Sequence, residues 1–238
     1  MKSRGQSLPV LHEAFILHSR NYRDTSLIVD LLTREEGRYS VVVRGAMSQK
    51  SRVRGRLQPF TPLLVASVGR SELKTSTSID FPGNSYRLTG DRLLLGLYVN
   101  ELLYRLLGKF DPVLELFDDY CHLLTSLADC QGGVLDVRLF ELRLLQELGY
   151  GINFDYDAGD GQAVEENSHY KFVVHEGFHR VDEPGDSAFC GAELRSIAEG
   201  NLQVVNERRL RNLTRVSLAE LLGDKPLKSR SLFRGIAR

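Results

Sequence analysis

Apolar and polar positions follow strand-like patterns in the first 80 residues of the chain. Apolar and β-branched residues dominate segments 13–19, 26–33, 38–43 and 63–68, while segment 73–79 alternates with a period of two. Segments of this length, separated by Gly, Pro and charged residues, predict β-strands. Five short strands with hairpin-like connections predict a small Greek-key barrel of the OB-fold type, and other five-stranded barrels fit this pattern as well.

Beyond the fifth predicted strand, hydrophobic positions recur at helical spacing. Segment 89–107 is apolar around most of its circumference, which predicts a central buried helix with Thr89 as its N-cap. Two further helices are predicted over 111–127 and 134–148, the first opened by an Asp-Pro pair and the second closed by Gly149. Three helices joined by short loops predict a helical domain after the barrel.

The last third of the chain is less regular. Segments 170–174 and 177–181 predict a short hairpin. Segment 206–222 predicts a helix with leucines on one face and arginines on the other, followed by a basic tail. The predicted fold class is α+β: an N-terminal five-stranded OB-fold barrel over 1–82, then a metal-free α-helical domain over 83–238. This second domain contains a small irregular or β-hairpin insertion at about 150–190 and ends in the basic tail.

The formal net charge of zero conceals an uneven distribution along the chain. Residues 1–80 carry 13 basic and 7 acidic side chains, residues 81–200 carry 9 and 21, and residues 201–238 carry 9 and 3. Each end of the chain is therefore basic and the middle is acidic. If the fold brought the two ends to one face, a neutral protein would present a basic surface to a polyanion.

The basic loop, residues 44–56, lies between the third and fourth predicted strands and reads RGAMSQKSRVRGR. It carries five cations and no acidic residue, and its glycines and small polar residues let the backbone follow a partner. Lysine and arginine neutralise phosphates and release counterions, so the loop predicts contact with a nucleic-acid backbone. A solvated surface loop is the alternative.

The predicted DNA-binding residues are the cations of the barrel and the tail, because backbone contacts accept any base sequence. They are Arg20, Arg23, Arg44, Lys50, Arg52, Arg54, Arg56, Arg70 and Lys74 on the barrel, and Lys225, Lys228 and Arg230 in the tail. Tyr22, Tyr39 and Phe60 are candidates for base stacking, with burial in the barrel as the alternative for each.

Several classes of protein are not indicated by the sequence. It contains no GxxxxGK[ST] phosphate loop, no GxSxG elbow and no HExxH motif. Its three cysteines include no CxxC pair, which argues against a disulfide framework or a zinc knuckle. The start lacks a sustained apolar run, and no stretch approaches the roughly 18 to 20 apolar residues of a membrane span. We therefore expect a cytoplasmic protein without enzymatic activity or membrane contact.

Clustered carboxylates leave an enzymatic alternative open. Asp155, Asp157, Asp160, Glu165 and Glu166 crowd one irregular loop, and such groups bind magnesium. A magnesium-dependent nuclease using residues 155–166 is thus one alternative, set against a solvated acidic loop. A helical scaffold protein that does not bind DNA is another.

Five separated segments resemble, in order, the RecO family of bacterial recombination mediators. They read AFILHSRNYRDTSLIVDLLTREEGR, GRLQPFTPLL, GLYVNELLYRLL, RLFELRLLQELGYG and KPLKSRSLFR, and they extend over nearly the whole chain. The resemblance implies an OB-fold, a helical domain, and binding of single- and double-stranded DNA with annealing of complementary strands. It also implies a nucleoid-associated protein that works with RecR and helps load RecA onto DNA coated by single-strand-binding protein.

The resemblance further implies that the acidic, phenylalanine-ending tail of single-strand-binding protein docks on the helical domain. Such a tail needs an apolar pocket for its ring and a cation for its carboxylate. The residues predicted to supply them are Arg138, Phe140, Leu142, Leu145 and Tyr150. The alternative is that the apolar members are core at helical spacing and Arg138 is solvated.

A zinc site of some RecO proteins is missing from this sequence. Those members carry four cysteines after a Leu-Gly-Tyr segment, whereas Leu148-Gly149-Tyr150 is followed here by GINFDYD. The nearest substitutes for tetrahedral zinc are His169, His175, His179 and Cys190, a set that polar surface loops often contain without binding metal. We expect no metal and no cofactor.

Overall fold

The computed structural model describes residues 10–234, apart from the side chains at positions 230, 233 and 234. Within these residues the chain forms eight strands and six helices. In chain order they are β1 (His12–Tyr22), β2 (Ser26–Thr33), β3 (Gly37–Val43), β4 (Leu63–Val68), β5 (Leu73–Asp80), α1 (Gly90–Leu106), α2 (Leu114–Ala128), α3 (Val134–Glu147), β6 (His169–Val173), β7 (Gly177–Val181), β8 (Phe189–Cys190), α4 (Gly191–Ala198), α5 (Glu207–Leu222) and α6 (Lys228–Arg234).

The chain divides into two compact units. Unit 1 extends to Ala128 and resumes at Leu227, so it contains the barrel strands, α1, α2 and α6. Unit 2, Asp129–Pro226, contains the remaining helices and the small sheet. The domain boundary at residue 82 stays a prediction.

The first five strands close into a barrel in the order β1-β2-β3-β5-β4, and β4 pairs with β1 to complete it. Neighbouring strands are antiparallel except β3 and β5, which run parallel. A closed five-stranded barrel with this crossover is the Greek-key arrangement of the OB-fold. The predicted α+β fold with an N-terminal OB-fold is therefore confirmed.

Strands β2 and β3 and the segment 14–17 of β1 are buried on both faces. Their inward-facing residues, including Ile16 and Leu31, form the barrel core. Phe15 faces outward and lies beneath α2, with its ring centroid 5.7 Å from that of Phe117 and 5.2 Å from that of Tyr120. Burial on both faces explains why these strands read as nearly continuous apolar runs instead of alternating.

A buried hydrogen-bonded chain joins the barrel to α1 and α2. The Asn100 side chain donates to the carbonyl of Ile16 at 3.1 Å and accepts from the Tyr120 hydroxyl at 2.6 Å. Burial raises the pKa of Tyr120 well above its usual value, so its hydroxyl remains a donor. Each buried polar group in this chain thus has a partner, which offsets the cost of removing it from water.

The structure confirms the predicted start of α1 and corrects the predicted start of α2. Thr89 occupies the N-cap position of α1, but its side chain makes no capping hydrogen bond. Asp111 does not cap α2, which begins at Leu114. Just before it, Phe110 adopts φ of 57° and its N–H donates to the carbonyl of Arg38 at 3.0 Å. This contact holds the segment against β3, so the helix begins later than its Asp-Pro signal indicates.

The core of unit 2 joins helices to a three-stranded sheet with the order β7-β6-β8. The predicted hairpin is confirmed, because β6 and β7 pair antiparallel over their full lengths. Its side chains Tyr170 and Phe178 are almost fully buried and pack with Phe189 and with leucines of α4 and α5. The irregular segment is therefore part of the core of this unit.

Helices α4 and α6 were not predicted from the sequence. The backbone N–H of Cys190, before α4, donates to the Glu193 carboxylate at 3.0 Å. The start of α6 is held by Glu101 of α1, which accepts from the backbone N–H groups of Lys228 and Ser229 at 2.8 Å and from the Ser229 hydroxyl at 2.6 Å. The Glu101 carboxylate thus binds the start of α6 to α1 within unit 1.

We expect acid to release α6 from α1. Burial opposes ionisation of Glu101, but the hydrogen bonds from Ser229 and Lys228, with Arg105 nearby, lower its pKa overall. A pKa that is lower in the folded chain stabilises the contact above the usual carboxyl value, and this stabilisation is lost as the pH falls through the folded value. The protection factors of the α6 amides in hydrogen exchange, which correct for the pH dependence of the intrinsic rate, should therefore decrease as the pH falls below the usual carboxyl pKa of about 4.3.

The matched variants are Glu101→Gln and Glu72→Gln. Hydrogen bonds to a charged group are the stronger ones, so Glu101→Gln should raise α6 exchange about tenfold already at neutral pH. Glu72 also has a lowered pKa, because of its hydrogen bond with Lys109, but it does not contact α6. Equal exchange in both variants would contradict the role assigned to Glu101.

Candidate nucleic-acid interface

Strand direction decides which loops share an end of the barrel. β1 and β3 each run antiparallel to β2, and β5 runs parallel to β3. The β1–β2 turn, both ends of the β3–β4 connection and the end of β5 therefore lie at one end. The β2–β3 and β4–β5 turns lie at the other end, so the predicted cations of the barrel are divided between the two.

One end of the barrel gathers most of the predicted cations. We call it the cationic end, defined by Arg20, Arg23, Arg44, Lys50, Arg52, Arg54 and Arg56. All seven are exposed, and none makes an ion pair with another residue in the described part of the chain. Asp24 and Asp80 are the barrel carboxylates at this end. Seven cations against two carboxylates create a strongly positive local potential.

The basic loop is anchored at both of its ends. Ala46 and Leu57 are buried in the barrel core. The N–H of Met47 donates to the carbonyl of Thr25 at 2.8 Å, which ties the start of the loop to the β1–β2 turn. The Arg56 guanidinium lies 3.9 Å from the centroid of the Phe81 ring, an attractive cation–π contact. Between these anchors, Lys50, Arg52 and Arg54 are exposed and can meet a partner.

Arg70 and Lys74 lie at the opposite end of the barrel. Arg70 is exposed in the β4–β5 turn. Lys74 is partly buried: its Nζ atom lies 2.5 Å from the Glu36 carboxylate and 4.5 Å from the centroid of the Tyr39 ring. The structure therefore does not bring these two residues to the cationic end, and Lys74 already has an anionic partner.

Aromatic stacking partners are scarce at the candidate interface. Tyr39 is fully buried and Phe60 is 4% exposed, so for both residues the alternative of burial is correct. Tyr22 is partly exposed and has the Arg23 guanidinium 5.1 Å from its ring centroid. OB-folds commonly bind oligonucleotides on the face of strands 2 and 3, and here that face is buried. The exposed groups of this barrel that can bind a strand are therefore mainly cations.

The three predicted cations of the tail do not share one unit. Lys225 belongs to unit 2, whereas Lys228 begins α6 in unit 1. Arg230 lies in α6, and its side chain is outside the described part of the chain. The contacts of Glu101 place the start of α6 beside the second half of α1.

The residues predicted to bind the partner tail are spread through unit 2. Arg138 is buried, with its Nη1 atom 2.6 Å from the Glu141 carboxylate. Phe140 and Leu145 are buried as well. Leu142 lines one cavity of about 320 Å³, and Tyr150, which is exposed, lines a different one of about 300 Å³. The structure does not bring the five together on one surface.

Carboxylates of the acidic loop, residues 155–166, contact other residues of unit 2. Asp157 is buried and accepts from the backbone N–H groups of Gly159 at 2.7 Å and Arg180 at 3.1 Å. Glu165 pairs with Arg180 at 2.9 Å, and Glu166 pairs with Arg195 at 2.8 Å. The sequence reading missed these arginine partners, which lie 15 and 29 positions away. Three of the five loop carboxylates, Asp157, Glu165 and Glu166, therefore already have partners within unit 2.

The described residues contain no group of three or more His, Cys, Asp or Glu side chains arranged to hold a metal ion. Two of the histidines considered for zinc contact carboxylates instead: His175 Nε2 lies 2.6 Å from Glu220, and His179 Nε2 lies 2.9 Å from Glu176. In the same part of the chain, no helix is long and apolar enough to cross a membrane.

Comparison with known proteins matches both parts of the chain to one family. The model for the N-terminal part of recombination protein O covers residues 9–82, and the model for its C-terminal part covers residues 87–231. The chain is 42% identical over 223 residues to the DNA repair protein RecO of Klebsiella pneumoniae, covering 93% of this chain and 91% of the relative. The RecO of Yersinia enterocolitica is 43% identical over 223 residues, 93% of this chain and 92% of that relative. The chain belongs to the RecO family of DNA repair proteins.

Proposed function

We propose that this chain binds single- and double-stranded DNA, anneals complementary strands and helps load RecA onto DNA coated by single-strand-binding protein. The observation that carries the proposal is the cationic end of the barrel, with seven exposed cations and no ion pair among the described residues. The RecO family is a family of DNA repair mediators and not of enzymes.

The chemistry of the cationic end supports binding to the phosphate backbone. Lysine and arginine side chains release counterions from DNA when they contact phosphates, whatever the base sequence. Because Tyr39 and Phe60 are buried, they do not compete for the bases. Bases that remain unstacked by protein are free to pair with a second strand, while the cations reduce the repulsion between the two backbones. Annealing by this route needs no catalytic residue.

The proposed protein partners rest on the family resemblance. They are RecR, RecA and the acidic tail of single-strand-binding protein, in a cytoplasmic, nucleoid-associated setting. Of the predicted tail-binding residues, Leu142 and Tyr150 have accessible surface. Arg138 would have to leave Glu141 to take a carboxylate, so we expect Leu142 and Tyr150 to contribute more to tail affinity than Arg138.

The proposal is tested with complementary oligonucleotides annealed across a salt series. The annealing rate should fall steeply as salt rises, because each phosphate contact contributes about 0.7 to the log–log slope on a single strand. An abasic strand of the same length should bind within about threefold of a normal strand, since each stacked base would otherwise contribute about 1–3 kcal/mol.

The same mixtures separate the alternatives. An annealing rate indifferent to salt contradicts the proposal. Strands shortened in the presence of magnesium would favour the nuclease reading, and no retention of DNA even at low salt would favour the scaffold reading.

A further inference from the structure

A row of arginines on helix α5 lies outside every site described above. The helix buries one face in the core of unit 2 through Leu210 and Leu213. The residues of the opposite face include Arg208, Arg211 and Arg215, all exposed. Spacings of three and four residues place these side chains on one side of a helix. We call them the arginine row.

The arginine row is unpaired within a unit that is otherwise acidic. Residues 129–226 carry 10 basic and 18 acidic side chains. Four other arginines of the unit pair with glutamates: Arg138 with Glu141, Arg180 with Glu165, Arg195 with Glu166 and Arg209 with Glu193. The row makes no ion pair with any described residue. Three like charges on one face, in a unit with excess carboxylates, leave an uncompensated site for an anion.

The surface beside the first turn of α5 is polar. A cavity of about 260 Å³ there is lined by Asp186, Ser187, Asn206, Arg208, Arg209 and Asn212. Hydroxyl, amide and guanidinium groups can donate hydrogen bonds to phosphate oxygens, and the Asp186 carboxylate offsets part of the positive charge. None of these lining residues is apolar. A peptide that ends in an aromatic ring needs an apolar pocket beside its cation, so this surface suits a repeating anion better.

We propose that the arginine row binds the sugar-phosphate backbone of a second nucleic-acid strand. The inference rests on the proposed function and deepens it, because annealing requires two strands to be held together. The helix rises about 1.5 Å per residue, so Arg208 and Arg215 are about 10.5 Å apart along its axis. Phosphates repeat along a single strand, so a row of this length can contact more than one of them. Planar guanidinium groups match phosphate geometry. One chain with a cationic surface in each unit then binds two strands.

The test counts strands bound per chain. Native mass spectrometry of the full chain with two non-complementary oligonucleotides of different mass shows one or two strands on a single copy. We compare wild type with R211A/R215A, which removes two row charges and keeps a good helix former at both positions. The matched control is R180A/R195A, which removes two arginines of the same unit that are already paired.

Wild type should carry two strands per chain at low salt, and R211A/R215A should carry one. At oligonucleotide concentrations high enough to load a second strand on that variant, the log–log salt slope of this second binding step should be lower than in wild type by about 1.4, the value for two phosphate contacts on a single strand. R180A/R195A should behave as wild type. Two strands on R211A/R215A with an unchanged slope would overturn the inference, as would an equal loss in R180A/R195A.

Failure of this inference is distinct from failure of the proposed function. A barrel variant, R44A/R52A/R54A, should also carry one strand, held by the row. If that variant keeps two strands while R211A/R215A loses one, the proposed DNA site on the barrel is contradicted and the proposed site on the arginine row is supported. If R211A/R215A instead weakens binding of an acidic peptide and leaves the second strand in place, the row is a peptide site and the inference is overturned.

Discussion

Replacing Arg44, Arg52 and Arg54 together with alanine should lower the affinity for single-stranded DNA on the order of a hundredfold at about 50 mM salt. Each arginine that contacts a phosphate contributes about 0.7 to the log–log salt slope, so the slope should fall by about 2. The measurement is a fluorescence anisotropy titration with one labelled oligonucleotide at several salt concentrations. Annealing rates should fall in parallel.

These three residues are chosen because their removal tests charge alone. Each is exposed and makes no ion pair with a described residue. Arg56 is left in place because its guanidinium packs on Phe81, which contacts the barrel core. A variant at Arg56 would therefore mix a loss of packing with a loss of charge. An unchanged urea unfolding midpoint in the triple variant would confirm that the barrel is intact.

The matched single variants are Arg52→Ala and Arg70→Ala. Both residues are exposed and belong to barrel turns, but they lie at opposite ends of the barrel. Arg52→Ala should reduce the salt slope by about 0.7, whereas Arg70→Ala should leave it nearly unchanged. An equal effect of both variants would show that the whole barrel, and not its cationic end, attracts the strand.

The strands of the barrel could be predicted because their pattern is local. Segment 26–33 and the observed β2 coincide, and β4 lies where its apolar run indicated. The closure of the barrel has no local pattern of its own, because pairing of β1 with β4 joins residues about 50 positions apart. The predicted helix start at 111 was wrong for the same reason, because the contact between Phe110 and β3 holds the segment before α2 and the helix begins only at Leu114.

The candidate interface was predictable where charge is contiguous along the chain. The basic loop remains one surface because its cations are close in sequence. Lys74 could not be separated from them in advance, since its partner Glu36 lies 38 positions earlier and meets it only through the barrel. The pairing of Arg138 with Glu141, by contrast, had a local signal, because oppositely charged residues three apart on a helix face each other.

The contact that holds α6 could not be predicted from the residues around it in the sequence. α6 is attached through a carboxylate of α1 that lies more than 120 positions earlier in the sequence. A run of basic residues in the sequence indicates a positive charge, but it does not show which of the two units each residue belongs to. The predicted tail cations therefore divide between the two units at residues 226 and 227.

Replacing Gly37 with alanine should destabilise unit 1 by about 4 kcal/mol, the largest stability effect we expect from one methyl group. Gly37 starts β3 with φ of 66°, a left-handed conformation that costs an alanine about 1–2 kcal/mol. A Cβ atom there would also lie 1.8 Å from the carbonyl oxygen of Asp111. Relieving that overlap requires the segment before α2 to move away from the barrel, and this segment includes Phe110, whose ring stacks on Tyr39 with centroids 5.6 Å apart.

Gly45 supplies a control with the same backbone conformation. Its φ is also 66°, but a Cβ atom there would have no other atom within 4 Å. Gly45→Ala should therefore cost only about 1–2 kcal/mol, which is the conformational part alone. Urea unfolding followed by circular dichroism measures both variants. A difference of about 2 kcal/mol or more between them isolates the contact between β3 and the segment before α2. If both variants lost the same free energy of unfolding, the segment before α2 could move away at no cost. The hydrogen bond from Phe110 to Arg38 would then not hold the α1–α2 connection against the barrel.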